Sequence, residues 1–240
     1  MGPEFPGLRV ERGTRSFEGR SKVRMPGPAG KERLRFPWKA HQPEEEQSVM
    51  KKITLGPQTL IYPMPAFLIG ADVGGKPNFM TAAWSGICNS SPPMVTAALQ
   101  HHRYTLKGIR ENGTFSLNVP SVDQVKETDY CGIVTGAKED KVAVCGFKVF
   151  YGKLKGAPLI EQCPVNLECR VVHMLNLGSH TLLVGLIEEV HVSEDCVTGG
   201  QPDVMKVNPL IYSSGSKKSY CSIGKVVAPA FSIGQEIKKG

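Results

Sequence analysis

Short apolar runs separated by glycine and proline dominate the chain from Met50 onwards. The run Val95–Leu99 and the alternating segment TFSLNVP are typical of strands. VGGKPN predicts a hairpin turn with Gly74–Gly75 at its tip. Residues 166–192 hold two long β-branched and aliphatic runs separated by LGS. These two runs predict an antiparallel pair.

Two short segments have helical features. YTLKGIREN, residues 104–112, carries apolar residues at Leu106 and Ile109 and is followed by a glycine, a common helix stop. SVDQVKETDY, residues 121–130, opens on Ser121, a favourable N-cap. Strands outnumber helices and no strand–helix–strand repeat is visible, so we expect a mainly β protein with a closed or nearly closed antiparallel barrel.

Residues 1–49 differ from the rest of the chain. They are rich in Gly, Pro and Arg and poor in periodic apolar residues, which predicts disorder. MKKITLG, from Met50, resembles a natural start of translation. We therefore interpret 1–49 as a disordered leader, either vector-derived or mis-annotated, with a functional basic tail as the alternative. The globular domain is predicted to span 50–240.

Composition and charge narrow the classes of function. The 240 residues are 40% hydrophobic and 21% charged, as expected of a packed globular protein. No apolar run is long enough to span a bilayer, and the N-terminus lacks the apolar core of a secretory signal. The net charge of +7 divides into +3 in residues 1–49 (10 − 7) and +4 in the remainder (19 − 15). This diffuse excess suits an anionic small molecule at least as well as a polynucleotide.

The cysteines indicate a reducing compartment. There are seven, an odd number, at wide spacings and with no C-x-x-C. We therefore expect reduced thiols in a cytoplasm, not a disulfide framework. Because no ligands cluster in the sequence, no metal site is predicted.

Polar side chains crowd a segment that is otherwise suited to a core. Residues 78–99 read NFMTAAWSGICNSSPPMVTAAL, with hydroxyls and amides scattered through its first half. This stretch, within KPNFMTAAWSGICNSSPPMVTAAL, resembles the signature of the flavin reductase-like, FMN-binding split-barrel family, and within it the flavoredoxin branch. Further similar pieces follow in the family's order: RYTLKGIRENGTFSLNVP, ETDYCGIVTGAKEDK, GAPLIEQCPVNLECRV, SHTLLVGLIEEVHV and NPLIYSSGSKKSYCSIGKVV. The resemblance covers about residues 50–235.

The resemblance implies a fold and a cofactor. The fold is the FMN-binding split barrel, an antiparallel, Greek-key-like six-stranded barrel with a few short helices. It implies a homodimer with one FMN per subunit, bound near the dimer interface. Consistently, no G-x-G-x-x-G follows a strand in this chain.

The resemblance also assigns cofactor contacts to three stretches. The residues that line the flavin ring are Asn78, Met80, Thr81, Ala82, Ala83 and Trp84. Those that fall where the family contacts ring or ribityl are Cys88, Asn89 and Ser90. On the phosphate side lie Arg103, Tyr104 and Thr105. Small alanines let backbone amides approach a flat ring, and an arginine at a helix start suits a phosphate.

Some of these residues also have plainer interpretations. The hydroxyl of Thr81 could be ordinary strand polarity on a solvent face, Trp84 could belong to the core, and Arg103 could be a solvated basic residue at a helix start.

Four further residues remain open from the sequence alone. His180 is a possible catalytic or ring-shielding residue, or a structural histidine. Cys131 is interpreted as a passive small residue, although a thiol near a flavin could be redox-active. Lys141 is either a surface lysine or a contact to the cofactor or a nicotinamide phosphate. Glu168 is expected to orient a neighbour, since no motif indicates a catalytic acid or base.

Three functions follow in order of support. The first is an FMN-dependent oxidoreductase that takes hydride from NADH or NADPH and passes electrons onward. The second is a flavoredoxin-like electron carrier without its own NAD(P)H activity, which would need a redox protein as partner. The third is a basic nucleic-acid-binding barrel with residues 1–49 as an arm. It has the least support, because stacking aromatics are few and the basic excess is diffuse. Neither a nucleic acid nor a membrane is the expected partner.

Overall fold

The structure is a computed structural model that describes residues 51–215 and 217–239. The predicted leader, 1–49, lies outside the described residues. The strands are β1 (Met64–Pro65), β2 (Phe67–Val73), β3 (Lys76–Ala82), β4 (Ser85–Ser90), β5 (Pro93–Gln100), β6 (Thr114–Val119), β7 (Val149–Phe150), β8 (Leu159–Ile160), β9 (Val165–Asn176), β10 (His180–Val192), β11 (Val197–Thr198), β12 (Gln201–Pro202), β13 (Ile211–Ser213) and β14 (Ser219–Cys221). The helices are α1 (Tyr104–Asn112), α2 (Val125–Ile133), α3 (Lys141–Cys145) and α4 (Val204–Val207), with 3-10 turns at Val122–Gln124, Glu194–Cys196 and Ile233–Lys239. Among the described residues, no helix has the length and apolar character needed to cross a membrane.

The main sheet is antiparallel and has seven strands in the order β3-β2-β6-β9-β10-β5-β4. Its two edge strands, β3 and β4, are consecutive along the chain and are joined by Ala83 and Trp84. The backbone amide of Ala98 in β5 donates to the Trp84 carbonyl at 2.8 Å, so the link is bonded back to the sheet. The predicted antiparallel fold is confirmed, with one strand more in the main sheet than the six expected of the barrel.

Two hairpins shape this sheet, and both are predicted from sequence. Gly74 and Gly75 connect β2 to β3 with φ of 58° and 78°. Both values lie in the left-handed region that a two-residue turn requires and that glycine adopts without strain. The long pair β9–β10 flanks LGS, and its register shifts between Val184 and Gly185 and between Ile187 and Glu189. Such bulges bend the strands and increase their twist.

Helix α1 packs against the main sheet, mainly on β2. Its apolar side chains Leu106 and Ile109 are buried together with Phe115 and Leu183 from the sheet. The helix ends at Gly113, whose φ is 66° and whose amide donates to the Ile109 carbonyl at 2.9 Å. The predicted helix over 104–112 is therefore confirmed at both ends.

A second apolar cluster forms where α2 and α3 lie against β3. Phe79, Cys131 and Phe147 are among its buried members. The segment predicted as a helix from Ser121 begins with a 3-10 turn, and α2 itself runs from Val125 to Ile133. The Ser121 hydroxyl accepts from the Asp123 amide, while the Gln124 side chain accepts from the Ser121 amide. This capping box supports the predicted helix start.

Glu168 on β9 is buried and holds a neighbouring loop. Its carboxylate accepts hydrogen bonds from the backbone amides of Lys153 (3.1 Å) and Leu154 (2.6 Å) and from His191 Nε2 (2.8 Å). The predicted orienting role is confirmed. Burial alone would raise the pKa of Glu168, but these hydrogen bonds favour the carboxylate and leave the pKa below its usual value.

Glu168→Gln is expected to lower the free energy of unfolding at pH 7 by about 1–3 kcal/mol, since a buried carboxylate that accepts three hydrogen bonds is lost. A carboxyl whose folded pKa is lowered stabilises the fold above its unfolded pKa of about 4.3, and this contribution disappears as the pH falls further. Urea unfolding at pH 7 and at about pH 3 should therefore show a smaller difference between variant and wild type in acid. Glu161→Gln, at an exposed carboxylate, is the control. An equal deficit at both pH values would contradict the assignment.

Candidate functional site

A cavity of about 670 Å³ opens at the junction between β3 and β4. One wall is the stretch Met80–Trp84, and another combines Ala98, Gln100 and Arg103. The C-terminal half of α2, the start of β10, the β13–β14 hairpin, Ala66 and the segment Gln58–Leu60 also line it. Its volume lies within the range of about 300–1,000 Å³ that is typical of cofactor and ligand sites.

The wall from Met80 to Trp84 combines small, apolar and aromatic groups. Met80 and Ala82 are buried, and the Thr81 hydroxyl donates to the Thr128 carbonyl in α2. Trp84 is 41% exposed, so its alternative interpretation as a core residue is wrong. Because the Thr81 hydroxyl is bonded to α2, its interpretation as ordinary strand polarity on a solvent face is wrong. Five of the predicted ring-side residues therefore line one cavity.

His180 lies at the cavity beside Trp84. The two rings are stacked, with centroids 4.7 Å apart and planes inclined by 28°. His180 Nδ1 and the Ser179 hydroxyl are hydrogen-bonded at 2.8 Å. The stack and this bond fix the imidazole at the cavity edge, which supports a role at the site for this histidine.

Arg103 supplies a cation to the cavity. It is the residue before α1, is half-buried, and donates from Nη1 to the Gly132 carbonyl at 2.7 Å. Burial lowers the pKa of Arg103, yet a guanidinium stays protonated at neutral pH. Among the described residues no carboxylate forms an ion pair with it. This half-buried charge can therefore receive an external anion.

The other predicted phosphate-side residues lie elsewhere. Thr105 is buried, and its hydroxyl accepts from the Asn78 amide at 2.6 Å. This pair links β3 to α1 without lining the cavity. Tyr104 lines an adjoining surface cleft instead.

The residues predicted to contact ring or ribityl lie on β4, outside the cavity of a single chain. Cys88, Asn89 and Ser90 are exposed, and the Asn89 amide donates to the Pro92 carbonyl at 2.7 Å. The strand continues away from the β3–β4 junction, so these side chains do not join the Met80–Trp84 wall. Their cofactor contact stays a prediction.

Several lining residues lie in segments that resemble the family but were not predicted as cofactor contacts. The β13–β14 hairpin contributes Tyr212, Lys218 and Tyr220, while α2 contributes Asp129 and Gly132. The Tyr220 hydroxyl donates to Asp129 Oδ1 at 3.0 Å and so ties the hairpin to the helix at the cavity. Burial, followed by the Asp129 carboxylate, raises the pKa of Tyr220.

Comparison with known proteins assigns the chain to a family. The sequence model of the flavin reductase like domain matches residues 59–221. The chain belongs to the flavin reductase-like family. The predicted family and fold class are therefore confirmed.

Two flavoredoxins of known structure are similar to this flavin reductase-like chain. The one from Methanosarcina acetivorans has a TM-score of 0.75 and 41% identity, covering 78% of this chain and 100% of that one. The one from Desulfovibrio vulgaris (Miyazaki F) has a TM-score of 0.72 and 40% identity, covering 77% and 100%. An NADH-dependent flavin reductase from a Rhodococcus species is 26% identical over 146 residues, which are 61% of this chain and 72% of that protein.

Lys141 of this flavin reductase-like domain is a structural lysine. It is 3% exposed, and Nζ donates to the carbonyls of Phe79 (2.9 Å) and Cys131 (3.0 Å). Its interpretation as a surface lysine is wrong, because α3 begins at this residue and the side chain reaches between β3 and α2. Burial lowers the pKa of Lys141. Two adjacent carbonyls near the C-terminus of α2 thus accept hydrogen bonds from cationic side chains: Cys131 from Lys141 and Gly132 from Arg103. The helix dipole favours positive charge at this end.

The thiols are mostly passive. All seven cysteines lie among the described residues, and none is in a disulfide. Cys131 is buried, and burial raises its pKa to about 12, so the thiolate is scarce at neutral pH. The passive interpretation of this residue is favoured. Cys88 and Cys221 are the exposed thiols.

No group of three His, Cys, Asp or Glu in the described part of the chain is placed to hold a metal ion.

Proposed function

We propose that this chain binds FMN in the cavity beside Met80–Trp84 and acts as an NAD(P)H-dependent flavin oxidoreductase. The observation that carries the proposal is a single cavity that combines the Met80–Trp84 wall with a half-buried guanidinium, Arg103, which forms no ion pair among the described residues. Membership of the flavin reductase-like family supports the same cofactor class.

The lining fits the chemistry of FMN. Ala82 and Ala83 add little beyond their Cβ atoms, so a planar ring can approach the backbone amides of this wall. Arg103 and Lys218 supply two positive charges, and the carboxylate that also lines the cavity, Asp129, already accepts from Tyr220. An apolar ring and an anionic phosphate therefore both find partners there.

The cofactor and the chain have separate tasks. Bound FMN supplies hydride and electron transfer, while the protein binds and orients it and shields it from water. The stacked Trp84–His180 pair provides an aromatic edge to the cavity. Arg103 and Lys218 would hold the phosphate.

The absorbance spectrum of the purified protein, followed by anaerobic titration with NADH and NADPH, tests this function. We expect a yellow protein whose visible absorbance bleaches with one of the nucleotides and no added partner. A colourless protein that takes up no FMN on reconstitution would refute the cofactor assignment. That result would also remove the basis for the site.

A flavoredoxin-like electron carrier is the second candidate. Sequence identity favours it, because the chain is 40–41% identical to two flavoredoxins but 26% identical to the NADH-dependent flavin reductase. A protein that dithionite reduces, but neither nucleotide does, would establish this alternative and would require a redox protein partner.

We also infer a homodimer in the cytoplasm. Exposed apolar side chains on β4 and the β9–β10 hairpin, Ile87, Leu175 and Leu177, support an apolar contact between copies. Seven unpaired cysteines support a reducing compartment. Light scattering coupled to gel filtration measures the mass in solution, and a monomer would contradict the dimer.

Tyr220→Phe is expected to speed FMN release about two- to tenfold, because it removes one hydrogen bond worth about 0.5–1.5 kcal/mol from the hairpin over the cavity. The release rate can be followed by the recovery of FMN fluorescence on dilution. Tyr151→Phe is the matched control, since it removes a similar hydrogen bond, from the Tyr151 hydroxyl to Asp72 Oδ1 at 2.8 Å, between residues that do not line the cavity. Equal release rates in the two variants would contradict a closing role for the Tyr220–Asp129 bond.

A further inference from the structure

A second cavity, of about 430 Å³, lies along the outer side of α1. We call it the α1 cleft, and its main lining residues are His101, His102, Arg103, Tyr104, Lys107 and Arg110. Arg103 also lines the cavity beside Met80–Trp84, which we call the flavin cavity. The two cavities therefore share one residue as a common wall.

The α1 cleft concentrates positive charge. Arg103, Lys107 and Arg110 face a single carboxylate in the lining, Glu111, which gives +2 with neutral imidazoles. Glu111 approaches Lys107 at 3.8 Å, but both side chains are more than 40% exposed, and such pairs contribute little. Arg110 forms no ion pair among the described residues. Half of the +4 excess of residues 50–240 therefore lies in this cleft.

A directional chain of hydrogen bonds holds one side of the cleft in place. His101 Nε2 lies 2.6 Å from the Gly178 carbonyl, which can only accept, so this nitrogen carries the proton. His101 Nδ1 is then the acceptor for the Thr181 hydroxyl at 3.1 Å. The same hydroxyl accepts from Arg110 Nη2 at 3.4 Å. The chain joins α1 to the β9–β10 hairpin and orients the guanidinium of Arg110 in advance of ligand binding.

We propose that the α1 cleft binds the phosphate groups of the pyridine dinucleotide that reduces the flavin, and that it favours NADPH over NADH; this rests on the proposed function. The nicotinamide must reach the flavin cavity, so the phosphates lie outside that cavity, and the cleft adjoins it through Arg103. Guanidinium groups bind phosphate oxygens with two hydrogen bonds each. The rings of Tyr104 and His102 add flat surfaces for a base. A net positive cleft gains more from the additional 2′-phosphate of NADPH than from a hydroxyl.

The test is binding of adenosine 2′,5′-bisphosphate to the FMN-loaded protein, measured by isothermal titration calorimetry beside adenosine 5′-monophosphate. We expect the wild type to bind the bisphosphate more tightly. The double variant Lys107→Gln/Arg110→Gln should bind it at least about tenfold more weakly, the loss of one charge-assisted contact. The control variant Lys126→Gln/Lys148→Gln, at two exposed lysines outside the cleft, should match the wild type.

Visible absorbance at the start separates the two proposals. A protein that takes up no FMN on reconstitution refutes the proposed function at the outset, with no nucleotide added. If FMN is bound, the cleft assignment is overturned by three results: no bisphosphate binding at millimolar concentration, equal affinity in the double variant and wild type, or equal affinity for bisphosphate and monophosphate. In steady-state assays the double variant should raise the KM for NADPH more than that for NADH.

Discussion

Arg103→Ala is expected to weaken FMN binding about ten- to hundredfold while leaving the activity per bound flavin, at saturating nucleotide, nearly unchanged. Hydrogen bonds to a charged group contribute about 1.5–3 kcal/mol, and each 1.4 kcal/mol is a factor of ten in affinity. Arg103 is the half-buried guanidinium of the cavity, and Nη1 also fixes the carbonyl of Gly132 on α2. The change therefore removes a phosphate partner and loosens the wall beside it, but it leaves the Met80–Trp84 wall intact.

Fluorescence titration of the apoprotein with FMN measures this loss. Arg103→Lys should be intermediate, because an ammonium keeps the charge without the two-pronged geometry. Arg170→Ala is the matched control, since Arg170 pairs with Glu188 at 2.6 Å on the exposed face of β9. Equal FMN occupancy in Arg103→Ala and wild type would refute the phosphate assignment.

Gly108→Ala is expected to lower the free energy of unfolding by about 1–3 kcal/mol, although alanine favours helices by about 1 kcal/mol over glycine. A Cβ at this position of α1 would overlap the backbone carbonyl oxygen of Asp72 at the end of β2. The Asn112 side chain donates to the same oxygen at 2.8 Å, so the strand end is held in place. The helix must move away from the sheet, and this cost exceeds the gain in propensity.

Thermal unfolding of the apoprotein separates these opposing effects. Gly132→Ala is a suitable comparison, since Gly132 also lies in a helix but its added Cβ would meet Thr81 at an ordinary 3.4 Å. There we expect the helical gain of up to about 1 kcal/mol to prevail. If both alanine variants were stabilised equally, the close approach of α1 to β2 would not govern this part of the fold.

Local chemistry explains what could be predicted from the sequence. The α1 helix follows directly from the spacing of Leu106 and Ile109 and from the glycine that ends it. The tight turn at Gly74–Gly75 is equally local. The cavity wall from Met80 to Trp84 is one continuous stretch of the chain. A resemblance of sequence is therefore sufficient to indicate this wall.

Contacts between distant parts of the chain could not be predicted in this way. Tyr220 and Asp129 are 91 residues apart and meet only because the β13–β14 hairpin returns to α2. Lys141 contradicts the general rule that lysines stay in water, because two backbone carbonyls receive its ammonium group. The position of Cys88 outside the cavity depends on the direction in which β4 leaves the β3–β4 junction, and the local sequence does not determine that direction.

The distribution of the thiols determines where the protein can be attached to other materials. Of the seven cysteines, Cys88 and Cys221 are exposed, and Cys221 ends the β13–β14 hairpin beside the cavity. A maleimide dye or a gold electrode should therefore react at these two positions under native conditions. Serine at one of them leaves a single anchoring point in each subunit. Voltammetry can then compare cavities held near the metal surface with cavities held away from it.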